Sequence, residues 1–202
     1  MFWKENGKLI RRLWLNLFGG VTFGFLLSAL STNLAARFPG HAAAIYIISG
    51  VIGAFFYLYL LYLVIWEAGA SDRIRADGGR ITGRPWHGIK IALVFSSPAL
   101  AVTLIYLLMS VLFAAFRVDN SFVRGTLDVS GTASLIFGMP HVGFALAIFG
   151  AIGKSNIAES RLIVYSVFMF LVTLPAIATL TFGYYFGYQG KFMSHTYKRK
   201  KQ

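Results

Sequence analysis

Apolar positions in this chain come in long unbroken runs parted by short basic connections. Residues 13–36, 42–66, 88–116 and 162–187 are each almost free of charge. Each also exceeds the roughly 20 helical residues needed to cross a bilayer. The pattern predicts an all-α polytopic transmembrane helix bundle with four long spans. Residues 132–153 are also apolar, but Gly138, Met139, Pro140, His141 and Gly143 interrupt them near the start. The unbroken remainder, Phe144–Ile152, is only half a membrane thick. The expectation is one broken re-entrant or interfacial segment beside the four spans, with five full spans as the alternative.

Within the first run Gly20, Gly24, Ser28 and Thr32 fall on every fourth position. Gly50 and Ala54 repeat the step in the second run, and Gly183 and Gly187 in the last. Lipid gives no hydrophobic drive for helices to associate, so close backbone approach at small residues is a main source of contact energy. These residues are therefore read as a packing seam, within the bundle or between two copies. Prolines mark a second set of positions. Ser96-Ser97-Pro98, Pro140 with His141, and Pro175 each interrupt a run where the ring removes a backbone donor and kinks the helix. They are the kink or cavity candidates.

Residues 67–87 form a polar connector. The second helix should run on to Asp77, supported by Arg73/Asp77 and Asp72/Arg75 at helical spacing, which adds only tenths of a kcal/mol. Gly78-Gly79 then ends it. Residues 188–202 form a basic tail containing Lys198-Arg199-Lys200-Lys201.

Composition sharpens this picture in three ways. At 57% hydrophobic and 13% charged in 202 residues, the chain has room for one bundle and no separate soluble domain. The net charge of +12 would point to nucleic acid in a soluble protein. Here the basic residues flank apolar runs, so the expected partner is a bilayer with anionic lipids, and nucleic acid is not expected. The positive-inside bias also separates the two topologies. With four spans only Arg37, Arg117, Arg124, Lys154 and Arg161 lie outside, and the tail lies with the N-terminus in the cytoplasm. Five spans would place the basic tail outside.

No chemistry stands out. The chain has no cysteine, which excludes disulfides, thiol catalysis and cysteine metal sites. No phosphate-binding glycine loop is present, and the histidines show no ligand spacing. No catalytic residue, metal or cofactor is expected, and the chain is not read as an enzyme.

Trp66-Glu67-Ala68-Gly69-Ala70-Ser71-Asp72, Gly79-Arg80-Ile81 and the run from Gly88 through Pro98 resemble a family of small multi-spanning membrane proteins from low-GC Gram-positive bacteria. So does the ending, Gly183-Tyr184 through Gly187-Tyr188-Gln189-Gly190 and Tyr197-Lys198-Arg199-Lys200. The resemblance covers about a third of the chain. It implies a bundle in the bacterial plasma membrane and says nothing about substrate. Connector and tail would both face the cytoplasm, where Glu67, Asp72, Arg80 and Lys90 would cluster with Lys191 or Tyr197. Two functions follow as expectations. The first is an accessory or scaffold subunit that holds another membrane protein, or a second copy, through the seams and the basic face. The alternative is a small permease or transporter subunit built around the broken helices at Pro98, Pro140 and Pro175.

Overall fold

The computed structural model describes residues 2–149 and 159–190, and among them every regular element is helical. Helix α1 covers Phe2–Arg37, α2 Ala42–Asp77, α3 His87–Ala114, α4 Ser121–Gly138, α5 Val142–Phe149, α6 Glu159–Leu171 and α7 Leu174–Gln189. Short 3-10 turns at Pro39–His41 and Met139–His141 join α1 to α2 and α4 to α5. Five stretches among the described residues are long and apolar enough to cross a membrane: Asn6–Arg37, Pro39–Asp77, His87–Ala114, Ser121–Ile148 and Arg161–Gln189. Large apolar side chains point outward along them; Phe18, Phe55 and Phe122 are 69%, 72% and 71% exposed. An outer surface of that kind needs lipid around it. The chain is a multi-pass membrane protein built as an all-α bundle.

The chain divides into two compact units. The first comprises Met1–Asn16, Leu58–Ser96 and Pro175–Gln202. It gathers the start of α1, the end of α2, the start of α3 and nearly all of α7. In it α1 runs antiparallel to α2: Arg12 pairs with Glu67 at 2.9 Å, and Asn16 donates to Leu60 O at 3.2 Å. Parallel to α1 runs α3, with His87 beside Asn6 and Trp14 edge-on to Phe95 at 5.6 Å. Helix α7 packs along α2 at glycines: Gly183 faces Ile65 and Tyr62, and Gly187 faces the Trp66 backbone. Helix α2 ends where Gly79 takes φ +70°, a left-handed conformation that favours glycine.

The second unit comprises Leu17–Tyr57 and Ser97–Leu174. Here α1 and α2 form a hairpin, with Gly20 against the Tyr57 ring and the Phe23 and Phe56 rings 4.3 Å apart. Phe38 leaves helical geometry at φ −127°, ψ 67°, and Pro39 opens the turn that reverses the chain. Helix α4 begins where the Asn120 side chain accepts from Val123 N at 2.8 Å, an N-cap. It runs antiparallel to α3: Arg124 lies over Phe113 at 6.0 Å, and Gly131 faces Tyr106. At Gly138 ψ closes to −4°, and the turn Met139–His141 redirects the chain. Helix α5 then runs antiparallel to α2, with Pro140 at Gly53 and Gly143 at Gly50 and Tyr46.

Several boundaries differ from the sequence expectation for local physical reasons. Helix α1 starts at Phe2 rather than near residue 13, because Ile10 and Leu13 already belong to its buried face. The broken segment starts at Ser121, eleven residues before Thr132, because Asp119-Asn120-Ser121 is a helix start. Part of the segment 132–153, part of the tail 188–202, and both Lys191 and Tyr197 lie outside the described residues.

Candidate functional site

The buried face of α1 carries Ile10, Leu13, Leu17, Gly20, Gly24, Ser31 and Ala35, a mixture of three- and four-residue steps. A strict four-residue step drifts roughly 40° around a helix each time. The seam read from sequence therefore leaves the contact as it proceeds. Gly20 and Gly24 are buried, Ser28 is half-buried, and Thr32 is exposed. In α2 the tight positions are Gly50 and Gly53, and Ala54 is only half-buried. Gly53 was not singled out; its three-residue spacing from Gly50 was the available signal.

What these glycines hold is the turn between α4 and α5. A Cβ on Gly24 would collide with Met139 O and come within 3.0 Å of Pro140 Cα. One on Gly53 would meet Pro140 O at 2.5 Å, and one on Gly50 would meet Phe144 N at 2.7 Å. A Cβ on Gly143 would come equally close to Ser49 Oγ, at 2.5 Å. Gly24 and Gly53 stand near the centres of the apolar runs 13–36 and 42–66. The turn therefore lies at the depth where a membrane protein is driest.

His141 ends this turn. It is 6% exposed, and both ring nitrogens are buried with no hydrogen-bond partner among the described residues. The Tyr57 ring stands edge-on to it, with centroids 5.9 Å apart. Tyr57 is itself buried, whereas its neighbour Tyr59 is exposed. An imidazole without partners in an apolar setting is costly, since each unmade hydrogen bond forfeits about 1–3 kcal/mol. The other kink candidates differ from this one. Ser97, Pro98 and Pro175 are exposed, and only Ser96 beside them is buried. Pro98 is carried inside a continuous α3. Pro175 occupies the first turn of α7, after the break at Val172–Thr173, where a missing N–H costs nothing.

The first unit holds a second polar locus. A cavity of about 270 Å³ is lined by Asn6, Asp72, Arg75, Ile81, Thr82, Arg84, His87 and Tyr184. Tyr184 donates its hydroxyl to Asp72 Oδ2 at 2.7 Å, and Arg75 stands 3.8 Å from Asp72 Oδ1. Gly69 and Gly88 let the Tyr184 backbone and ring lie against α2 and α3. His87 Nε2 and Asn6 Oδ1 are 3.3 Å apart. Of the four residues expected to cluster, Glu67 pairs with Arg12 and Asp72 with Tyr184 and Arg75, while Arg80 and Lys90 are exposed. The connector and the end of α7 are joined by Tyr184, Gly69, Gly88 and an Arg73 Nη1 to Gln189 O bond of 2.8 Å. Tyr184, Arg84, Asn6 and His87 were absent from the expected cluster. Tyr184 belongs to the quoted Gly183–Gly190 block, and its distance along the chain from Asp72 hid the pairing.

Among the described residues no three His, Asp or Glu side chains come together as a metal site. No protein-family model, curated protein or solved structure matches the chain.

Proposed function

We propose that this chain is a small permease or carrier subunit of the bacterial plasma membrane, in which α4 and α5 form a re-entrant pair with His141 at its tip. In this reading α1, α2, α3 and the α6–α7 segment cross the membrane, and both chain ends face the cytoplasm. The start of α1, the connector and the end of α7 share one unit, which supports an even number of crossings. The resemblance to the Gram-positive membrane-protein family belongs to the same proposal.

One observation carries the reading: a broken helix pair presents a bare, buried imidazole near the centre of the apolar runs. Ionisable groups at that depth are expensive and mark solute or proton paths. Discontinuous helices are where carriers place their substrate. The positive end of the α5 dipole lies beside His141 and favours an anionic group. The turn is packed against Gly24 and Gly53, and α5 after it against Gly50, so a solute enters only if the turn shifts. That makes this a closed state and the turn a moving part. The seam glycines Gly20, Gly24, Gly50, Gly183 and Gly187 are used inside the chain, which favours the carrier reading over an accessory subunit that docks through them.

Two experiments test the proposal. The chain has no native cysteine, so Ser194→Cys gives a single site for a membrane-impermeant thiol reagent in intact cells. Protection is expected; labelling from outside overturns the re-entrant topology. Separately, purified protein is heated with each of a panel of small carboxylates. Stabilisation by one of them, lost in His141→Leu, is expected, because a ligand that binds only the native state raises its stability by mass action. A panel with no hit, or a hit that survives His141→Leu, removes the carrier reading.

A further inference from the structure

We infer that the polar cavity of the first unit binds an anionic phosphoryl group. This inference does not depend on His141 or on transport.

The charges around the cavity leave a positive balance. Among the described residues Asp72 is its only carboxylate, and Tyr184 and Arg75 already engage it. The Arg84 guanidinium makes no ion pair or hydrogen bond among the described residues, so it lines the cavity as a second cation beside Arg75. A guanidinium presents a rigid fork of donors that fits phosphate oxygens, and the Thr82 hydroxyl adds a neutral donor. The cavity also lies at the start of α3, a 28-residue helix with no acidic residue in its first turn. Its dipole favours an anion there.

The neighbouring aromatics indicate where such a group would come from. Trp86 stacks on Tyr185 with ring centroids 4.7 Å apart, and Trp86 is 53% exposed. Tryptophan and tyrosine collect at the headgroup level of a bilayer. A lipid phosphate would reach the cavity from its own layer, and a soluble phosphate ester would reach it from water. About 270 Å³ is small for a drug-sized ligand, but it accommodates a headgroup.

The test uses the purified full chain in neutral detergent. Its unfolding midpoint is followed while phosphatidylglycerol, glycerol phosphate or diacylglycerol is titrated in. Phosphatidylglycerol is expected to stabilise and diacylglycerol is not. Arg84→Gln, an exposed change that keeps the fold, should raise the half-effect concentration about tenfold, the worth of one charge-assisted hydrogen bond. Arg11→Gln removes an equal charge from an exposed site outside the cavity and should leave it nearly unchanged. If glycerol phosphate stabilises with the same Arg84 dependence, the site takes soluble phosphate esters. If only the lipid does, it takes a headgroup. Equal effects of Arg84→Gln and Arg11→Gln would mean general attraction to a basic protein and overturn the inference. Stabilisation by diacylglycerol to the same extent, or by none of the three, would also overturn it.

Discussion

In the first unit polar side chains reach from one helix to the next: Arg12 to Glu67, Asn16 to Leu60 O, Tyr184 to Asp72 and Arg73 to Gln189 O. In the second unit most of the bonded hydroxyls turn back on their own helix, and that of Ser134 is buried without a partner among the described residues. Ser31, Ser49, Ser110, Ser130, Ser166 and Thr173 each donate to a carbonyl three or four residues earlier. A hydroxyl satisfied in that way holds no neighbour. The helices of the second unit therefore depend on backbone contact at glycine, while those of the first unit add directed polar bonds. That difference decides what each unit tolerates. A close-packed seam fails when volume is added, and a polar bond fails when a partner is removed.

The largest expected effect is at Gly143. A Cβ there would strike Gly50 N and lie 2.5 Å from both Tyr46 O and Ser49 Oγ, and backbone cannot move aside as a flexible side chain can. Gly143→Val should cost more than the roughly 3 kcal/mol at the upper end of ordinary overpacking. Folded, monodisperse protein in detergent should be lost. Gly19→Ala is the matched change in open space, with nothing within 4 Å. It should be neutral or stabilise by up to about 1 kcal/mol through helix propensity. Equal tolerance of the two changes would break the account of the second unit.

Tyr184→Phe probes the other half of the comparison. It removes the hydroxyl from Asp72 but keeps the ring against Gly88. A hydrogen bond to a charged group is worth about 1.5–3 kcal/mol, and the lower part of that range is expected because Asp72 retains Arg75. The unfolding midpoint should fall. Asp72→Asn should then add little to Tyr184→Phe in a double-mutant cycle, since the two act through one bond. Full additivity would show that the contact contributes nothing.

How far the sequence was legible follows the same division. Long apolar runs, the break at Gly138–His141 and the helix stop at Gly78-Gly79 are one-dimensional signals, and they made the all-α bundle legible, though not the break at Val172–Thr173 that parts α6 from α7. Which glycine faces which neighbour was less legible. Helical phase accumulates along a span, and a four-residue step that starts at Gly20 has rotated away by Thr32. The polar cavity was the least legible part. Tyr184 and Asp72 meet only because α7 lies along α2, and no local pattern carries that pairing. Asn120 was legible and passed over: a polar Asp-Asn-Ser before an apolar stretch is a helix start.

A smaller effect of opposite sign is expected at His141. Its two ring nitrogens have no partner among the described residues and make the native site worse than an apolar one, so His141→Leu, of similar bulk, should stabilise the fold by about 1 kcal/mol or more and raise the unfolding midpoint. A residue whose removal stabilises the fold is retained for something other than stability. Loss of stability in His141→Leu would mean that the imidazole is part of the packing, and the second unit would then hold no functional strain.

The smallest effect concerns the one ion pair of the second unit among the described residues, Asp119 with Arg124. The bond from the Arg124 guanidinium holds the Asp119 carboxyl below its ordinary value of 3.8. A depressed carboxylate stabilises the fold above its unfolded pKa, and that contribution is lost as pH falls through the folded value. Asp119 also precedes α4, where a negative charge complements the helix dipole. Both groups are exposed, so water and salt screen the pair and the effect is slight. Asp119→Asn should lower the unfolding midpoint marginally at neutral pH and low salt. The gap should close on acidification below 3.8, where the native carboxyl also loses its charge. It should shrink in high salt at neutral pH as well. A gap that persists under both conditions would assign the loss to local geometry at the Asn120 cap rather than to charge. The second unit would then depend on directed electrostatics nowhere among its described residues.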